Sequence, residues 1–500
     1  MNRFPKFPIY LDRALQAALF LLALSAPISI AATQTAWALA LLFWILRAFL
    51  VRPVWRKAAI DLAIITFVGL TIVSSFFSYS PEVSLRKLVA VSLVTIVYLV
   101  SENIGTAKTL RRIAAILLIA GVFTSLFVLG TFIVGKNLKV VRLAADSPLR
   151  AAGVRENDTI LKANGISVNS PDELVAALKP TDNSVAVIKV YRYEILFDFE
   201  MPVSTVSVPA DGIAKLGIES WSRGRDVRAA GFFGHYTTYA EAIQLVLSLA
   251  FGLLIVAPGR LFSRYRILFG LSAASMCFAL FLTVTRASWV GFLISAAVMI
   301  LIGTTRKTAL IFLALAIPVA ISGIFYLQQK RNVAFIDTKD GSTTWRMTVW
   351  REGFDLLTSD PRHLAVGIGM DSIKSHWKEW HLFDDGRLPI GHMHSTPLQL
   401  ALERGLPAFI AWIIWMSLYL RMLWRGFRRG EMEWFERGVL LGTFGGTIGF
   451  LASGLVHYNW GDSEVVMIFY LLMGMSFAVI NEISKPLAEP KLSRSGIVNN

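Results

Sequence analysis

The chain has 500 residues, of which 55% are hydrophobic and only 17% charged. A soluble chain of this length carries more charge, and here the apolar residues come in runs of about 17 to 25, the length that crosses a bilayer as a helix. The formal net charge of +15 sits in short connections between those runs, which argues against a nucleic-acid-binding face and fits charge held on one side of a membrane. The single cysteine, Cys277, leaves no partner for an intramolecular disulfide.

The fold class expected is mainly α: a polytopic helical membrane protein of about twelve transmembrane helices with a small α/β insert. In chain order the spans fall near 14–31, 34–51, 58–77, 85–102, 111–134, 236–257, 265–284, 287–303, 308–326, 406–424, 437–458 and 464–481. The "SIAA" at the end of the first imitates a signal-peptide cleavage site, but the second span follows at once and favours an uncleaved helical hairpin. With the N-terminus in the cytoplasm, the basic clusters around Arg52, Arg111, Arg264, Arg306 and Arg425 all fall on the cytoplasmic side, as does the tail with Lys485, Lys491 and Arg494. The chain then divides into 1–135 (spans one to five), 136–235 (outer insert and linker), 236–326 (spans six to nine), 327–405 (outer loop), 406–481 (spans ten to twelve) and 482–500 (cytoplasmic tail). All seven histidines, His235, His363, His376, His381, His392, His394 and His457, map to the outer face or its edge.

Residues 138–200 alternate like strands and carry turn signals. "SPLRAAG" reads as a short capped helix ending at glycine, and "ANGI" as a tight hairpin turn. "SPDELVAAL" reads as a second helix, with Ser170 as N-cap, Pro171 in the first turn and Glu173 closing a capping box. Through Ser147, Pro148, Ala152, Gly153, Asp158, Ile160, Asn164 and Gly165 this stretch resembles a PDZ domain. The resemblance implies a peptide or protein ligand bound by strand addition. The carboxylate-binding loop expected before "LKVVRL" is missing there, and "KLGIES" (215–220) resembles it, which points to a circular permutation.

Four outer-face features carry chemistry. Arg228 lies in "RAAGFFGHYTTYA", ahead of the sixth span. Arg286, in "TVTRASW", sits in a very short hairpin at membrane depth, where a charge needs a partner. Arg346 and Arg351 lie on an amphipathic stretch followed by "GIG" (367–369). The fourth is "GHMHSTPLQLALERG" (391–405). Since 406–424 already crosses the bilayer, 396–404 is expected to be a separate short helix, with Thr396 as cap, Pro397 in its first turn, Gln399 closing a capping box, and Gly405 and Pro407 marking the turn. His394 then sits ahead of a helix N-terminus, which disfavours a protonated imidazole. A metal site built from His376, His381, His392 and His394 is the rival reading, but the spacing fits no common zinc pattern. In "HYNWGDSEV" (457–465), Asp462 and Glu464 could accept hydrogen bonds from sugar hydroxyls.

In their order and shared side, "RAAGFFGHYTTYA", "TVTRASWVG", Arg346 with Trp350, "GIG" and His394 with Leu398, Glu403 and Gly405 resemble the O-antigen ligase and polymerase family of bacterial inner-membrane proteins. Ser395 departs from that pattern, where the family usually has Asn. The resemblance implies a glycosyltransferase that moves an undecaprenyl-diphosphate-linked glycan onto an acceptor, most directly the lipid A–core oligosaccharide, at the periplasmic face. It implies His394 at the acceptor and Arg228, Arg286 and Arg346 at the diphosphate; beside that, Glu403, Asp462 and Glu464 are candidate acceptor-site residues, with span-end capping the alternative for the last two. No cofactor and no metal are expected, and membrane lipids surround the helices. A polymerase, a protein O-oligosaccharyltransferase, and a non-enzymatic transporter or scaffold are the alternatives.

Overall fold

The computed structural model describes residues 7–50, 60–178, 185–192, 195–202, 216–225, 228–260, 262–307, 309–310, 314, 318, 321, 341–429 and 432–483. It forms two compact units. One comprises Met1–Phe123, Phe232–Phe281 and Thr285–Asn500; the other comprises Thr124–Gly231 and Leu282–Val284.

Eight helices among the described residues are long and apolar enough to cross a membrane, so the chain is a multi-pass membrane protein. The first hairpin is present as Phe7–Ser25 and Ile30–Leu50, and the third expected span is the shorter apolar helix Asp61–Phe76. The ninth expected span, 308–326, falls for the most part outside the described residues, as do Arg52, Arg56, Lys57 and the basic tail.

The first unit is built around helices Tyr236–Val256, Trp434–Gly454 and Ser463–Ala478, whose residues are buried over most of their length. Lipid gives helices no hydrophobic reason to associate, so close packing through small residues must supply the attraction. The 434–454 helix meets that need with Gly438, Gly442, Gly445, Gly446 and Gly449. A Cβ added at Gly252 would lie 2.3 Å from the Gly442 nitrogen, and one at Gly291 would lie 2.7 Å from the Gly449 carbonyl oxygen. The backbones therefore touch, and Ser248 and Ser295 join their hydroxyls at 3.1 Å in the same region.

Thr396–Arg428 runs as one element with a break at Gly405, whose φ of 78° and ψ of 165° are not helical. The expected short helix ahead of the tenth span is therefore present. Such a break orphans the carbonyls of the preceding turn. The "GIG" segment takes them up: the Ile368 N–H donates to the Leu402 oxygen, and the Gly369 N–H to the Glu403 oxygen, both at 2.9 Å. The Ser74 hydroxyl also donates to the Glu403 oxygen, at 2.9 Å. A Cβ at Gly405 would sit 2.6 Å from the Ala365 carbonyl oxygen. Gly405→Ala is therefore expected to destabilise the protein by about 1–3 kcal/mol or more from backbone strain alone, read as a lower melting temperature of the detergent-extracted chain.

The second unit contains a six-stranded sheet in the order β5-β4-β2-β1-β6, with β3 beside β2. The strands are β1 Leu138–Leu143, β2 Thr159–Ala163, β3 Ile166–Ser167, β4 Val185–Arg192, β5 Ile195–Pro202 and β6 Ile218–Arg223. Leu138, Val140, Ile160, Ile188, Val190 and Leu174 fill its core. Asn164 and Gly165, at φ 47° and 79°, make the expected β2–β3 turn. Ser147 caps Pro148–Ala151, and Ser170 caps Pro171–Ala177 through the Glu173 N–H. The capping box differs from expectation by one residue: the Glu173 carboxylate accepts from the Asn169 N–H at 2.7 Å, not from that of Ser170. The last three residues of "KLGIES", 218–220, open β6, which runs antiparallel to β1.

Candidate active site

The segment 391–395 is fixed by its backbone before any of its side chains act. The Trp350 indole donates to the Met393 oxygen at 2.9 Å. The Met393 N–H donates to Gln399 Oε1 at 2.7 Å, and Gln399 Nε2 donates to Glu403 Oε1 at 2.9 Å. Gln399 is thus spent on this clamp and closes no capping box. The N-cap is Ser395, one residue earlier than expected, and its side chain makes no cap bond. Thr396 is drawn away instead, donating its N–H to the His457 oxygen at 2.9 Å and its hydroxyl to Asn459 Oδ1 at 2.9 Å.

Held from both ends, His394 adopts φ 47°, a left-handed conformation that few non-glycine residues take and that marks functional sites. Its ring centroid lies 4.0 Å from that of His392 and 4.4 Å from that of Trp345. The His394 N–H donates to His392 Nδ1 at 3.2 Å, so that nitrogen presents a lone pair. Burial, then the repulsion a protonated His394 would meet from a proton on His392 and from Arg346, with His457 and His235 behind them, pulls the His394 pKa down to about 2. Burial, then Lys374, His457 and His235, lowers that of His392 to about 4 against the opposing charge of Asp371. Both rings are neutral at physiological pH, and a neutral imidazole offers a lone pair to a proton.

Glu403 is buried, and its carboxylate is fully engaged. Oε1 accepts from the Asp371 N–H at 3.0 Å and from Gln399, Oε2 accepts from the Tyr458 hydroxyl at 3.1 Å, and Arg404 lies 3.4 Å away. This geometry makes it a tie between the 367–371 turn, the short helix and the 457–461 turn. A sugar hydroxyl would have to displace one of these donors to reach it. Asp462 is different. Thr238 donates to it at 2.9 Å, and burial, with the charge of Glu241, raises its pKa to about 7. Glu464 lies two residues on, in the first turn of Ser463–Ala478.

Arg346 neighbours His394 electrostatically, and its guanidinium lies 5.8 Å from the Trp345 ring centroid. Arg228 belongs to the second unit. There its Nε and Nη2 donate to the Thr283 and Val284 oxygens at 2.9 and 2.6 Å, two residues short of Arg286 in the chain. Arg286 is the first residue of helix Arg286–Gly303. The remaining histidines do not join His392 and His394. His363 bonds the Tyr79 hydroxyl at 2.9 Å, His376 bonds Ser80 and Glu379, and His381 bonds Asp385. Among the described residues, no group of three or more His, Cys, Asp or Glu side chains is placed to hold a metal ion.

Trp345, Tyr458 and the pairing of His457 with Glu241 escaped the sequence reading, as did the clamping role of Gln399. Glu241 had a signal: it is the lone charge in an apolar run, and such a charge needs a reason.

The chain is a polytopic helical membrane protein with a histidine pair beside a kinked helix. Residues 271–413 match the family model described as O-antigen ligase, and residues 139–192 match that of the PDZ domain. The chain thus carries a region that matches O-antigen ligases and an inserted PDZ domain, and the first match supports a membrane role of the glycan ligase or polymerase type. The first match takes in Arg286, Arg346, His394 and Glu403; Arg228, Asp462 and Glu464 lie outside it. No curated protein matches the chain.

Proposed function

We propose that this protein transfers a glycan from undecaprenyl diphosphate to the lipid A–core oligosaccharide at the periplasmic face of the bacterial inner membrane. The observation that carries this reading is the placement of His394 and Arg346 against one ring, that of Trp345, within the O-antigen ligase match. An acceptor hydroxyl attacks the anomeric carbon and gives its proton to the His394 lone pair. The bond from that carbon to the diphosphate breaks, and the leaving oxygen takes the electron pair. Arg286 and Arg346 stabilise the charge that develops there, as preplaced guanidinium groups do best where water is excluded. Arg228 supports them by holding the turn at residues 283 and 284. No step requires a metal.

Asp462, held by Thr238, serves the acceptor, and Glu464 stands beside it in sequence. Glu403 serves by holding the short helix in place. The PDZ domain is read as binding a peptide by strand addition. Among the described strands β6 pairs only with β1, which leaves its outer edge as the natural place.

Deletion of the gene, followed by gel analysis of lipopolysaccharide, tests the assignment. Loss of a ligase leaves core-only lipopolysaccharide with polymer stranded on the lipid carrier. A single repeat unit on the core would instead indicate a polymerase. An unchanged profile would move the acceptor to protein or to another polysaccharide.

A further inference from the structure

His376 and His381 each set Nδ1 against a nearby carboxylate, that of Glu379 at 2.6 Å and that of Asp385 at 2.8 Å. Among the described residues, only the first of these two rings also meets a hydroxyl: His376 Nε2 lies 3.1 Å from Ser80 Oγ. A carboxylate only accepts, so in the neutral ring the pairing with Glu379 puts the proton on Nδ1. The Nε2 lone pair then faces the Ser80 O–H. Hydroxyl, imidazole and carboxylate stand in the order, and on the ring nitrogens, that serine-based acyl transfer uses.

The three groups come from distant parts of the chain, and a buried scaffold brings them together. Ser80 is the N-cap of helix Pro81–Val91, where a serine ordinarily accepts from the first turn, yet its side chain makes no cap bond. Its N–H donates to Ser78 Oγ at 3.0 Å. Ser78 Oγ is buried and lies 2.9 Å from Ser372 Oγ, and the Ser372 oxygen accepts the His376 N–H at 3.1 Å. The Tyr79 N–H donates to the Ile368 oxygen at 3.1 Å, and a Cβ at Gly369 would overlap Ser78 Oγ. The backbones that carry the hydroxyl and the imidazole are thus locked to each other. The His376 ring is packed by Trp380, 5.2 Å away at 29°, and by Tyr79, 6.0 Å away at 61°. Ser80 and His376 both stay partly exposed, so a substrate can reach them. The first-turn N–H groups of Pro81–Val91, left without a side-chain cap, project from the same helix end and suit charge that develops on a carbonyl oxygen.

We propose that Ser80, His376 and Glu379 form a second catalytic site, a serine acyl-transfer centre that hydrolyses carboxylic esters. Ser80 Oγ bonds to the ester carbonyl carbon while His376 Nε2 takes the hydroxyl proton. The carbonyl electron pair moves onto its oxygen and returns as the bond to the alcohol breaks, and the alcohol leaves with the proton from His376. Water then attacks the acyl–Ser80 ester by the same route. One of its protons passes through His376 to Ser80 Oγ, and the carboxylic acid is released. Water is the one co-reactant. Ser80 and His376 are catalytic residues here, and Glu379 is a positioning residue. The glycan that the proposed transfer brings to this protein carries hydroxyls that form such esters; that choice of natural ester rests on the reading above, and the acyl chemistry does not.

The test uses the full-length chain in membranes, treated with a fluorophosphonate that reacts with activated serines and assayed with 4-nitrophenyl acetate. Mass spectrometry of the labelled chain should place the adduct on Ser80, and Ser80→Ala should abolish both that adduct and the hydrolysis. His376→Gln should lower the labelling rate by about 10²–10⁴-fold. Glu379→Gln should lower it at least about 10-fold, and Glu379→Asp should recover most of the loss. His381→Gln breaks the matching imidazole–carboxylate pair and should label as the wild type does. Absence of an adduct on Ser80 in the wild-type chain overturns the proposal, and that result needs no variant to fold. An adduct that forms at the wild-type rate in His376→Gln overturns it too, because the imidazole is then no base for Ser80. The probe needs neither the lipid donor nor His394. Labelled Ser80 with an unchanged lipopolysaccharide profile on gene deletion therefore defeats only the transfer reading, and unlabelled Ser80 with transfer intact defeats only this one.

Discussion

Replacement of His394 by asparagine is expected to lower the rate of glycan transfer by about 10²–10⁴-fold, the usual worth of a positioned general base. The choice of asparagine follows from the backbone. His394 sits at φ 47°, where an alanine would add about 1–2 kcal/mol of strain to the loss of the imidazole. Asparagine tolerates that region, so the clamp from Met393 to Gln399 should survive and the loss can be assigned to the ring. Donor binding should persist, because the guanidinium groups remain, and KM for the lipid donor should stay near its wild-type value. His392→Asn is the informative companion. His392 receives the His394 N–H at 3.2 Å and touches no substrate in the proposed reaction, so its loss should cost much less. Equal losses at the two positions would mean that the histidine pair acts as one structural unit and that His394 is not the base. Transfer is measured in membranes from the appearance of ligated lipopolysaccharide, with protein level checked on the same samples.

The helices were legible because the bilayer imposes a length, and runs such as 236–257 and 286–303 have that length with few charges. The break before the tenth span was legible for a similar reason: Gly405 with Pro407 is strong local punctuation, and the structure puts the kink at Gly405. Local rules failed where a distant partner outbid a near one. Thr396 is a good N-cap in isolation, but the 457–459 turn takes both its donors. Gln399 has capping-box spacing, yet its amide is used by Met393 and Glu403. Glu403 looked available to a sugar because nothing in sequence says that Asp371 and Tyr458 reach it. The pair of Glu241 and His457 spans 216 positions, and no periodicity encodes such a contact. His363 and His376 shared the outer face in sequence with His394, but Tyr79 and Ser80 claim them.

Arg286→Ala is expected to lower kcat by about 10²–10³-fold, as loss of one preplaced donor to developing charge does elsewhere. Arg286 stands at the end of its helix that a cation does not favour: it is the first residue of Arg286–Gly303, at the positive end of the dipole. The preceding turn is strained as well: Val284 has φ 54°, an outlying value for a β-branched residue. The Arg228 guanidinium bonds the carbonyls of Thr283 and Val284, which repays part of that strain. In the proposed reaction the diphosphate at this turn is addressed by both the helix N-terminus and the guanidinium. Arg286→Lys keeps the charge and loses the planar fork, so it should retain an intermediate rate. Arg228→Lys should lower the rate by loosening the turn, and Val284→Gly should partly recover it by removing the strain. Rescue of Arg228→Lys by Val284→Gly would separate the shape of this turn from its charge. Full activity of Arg286→Ala in protein that inserts normally would take the diphosphate away from this end of the helix.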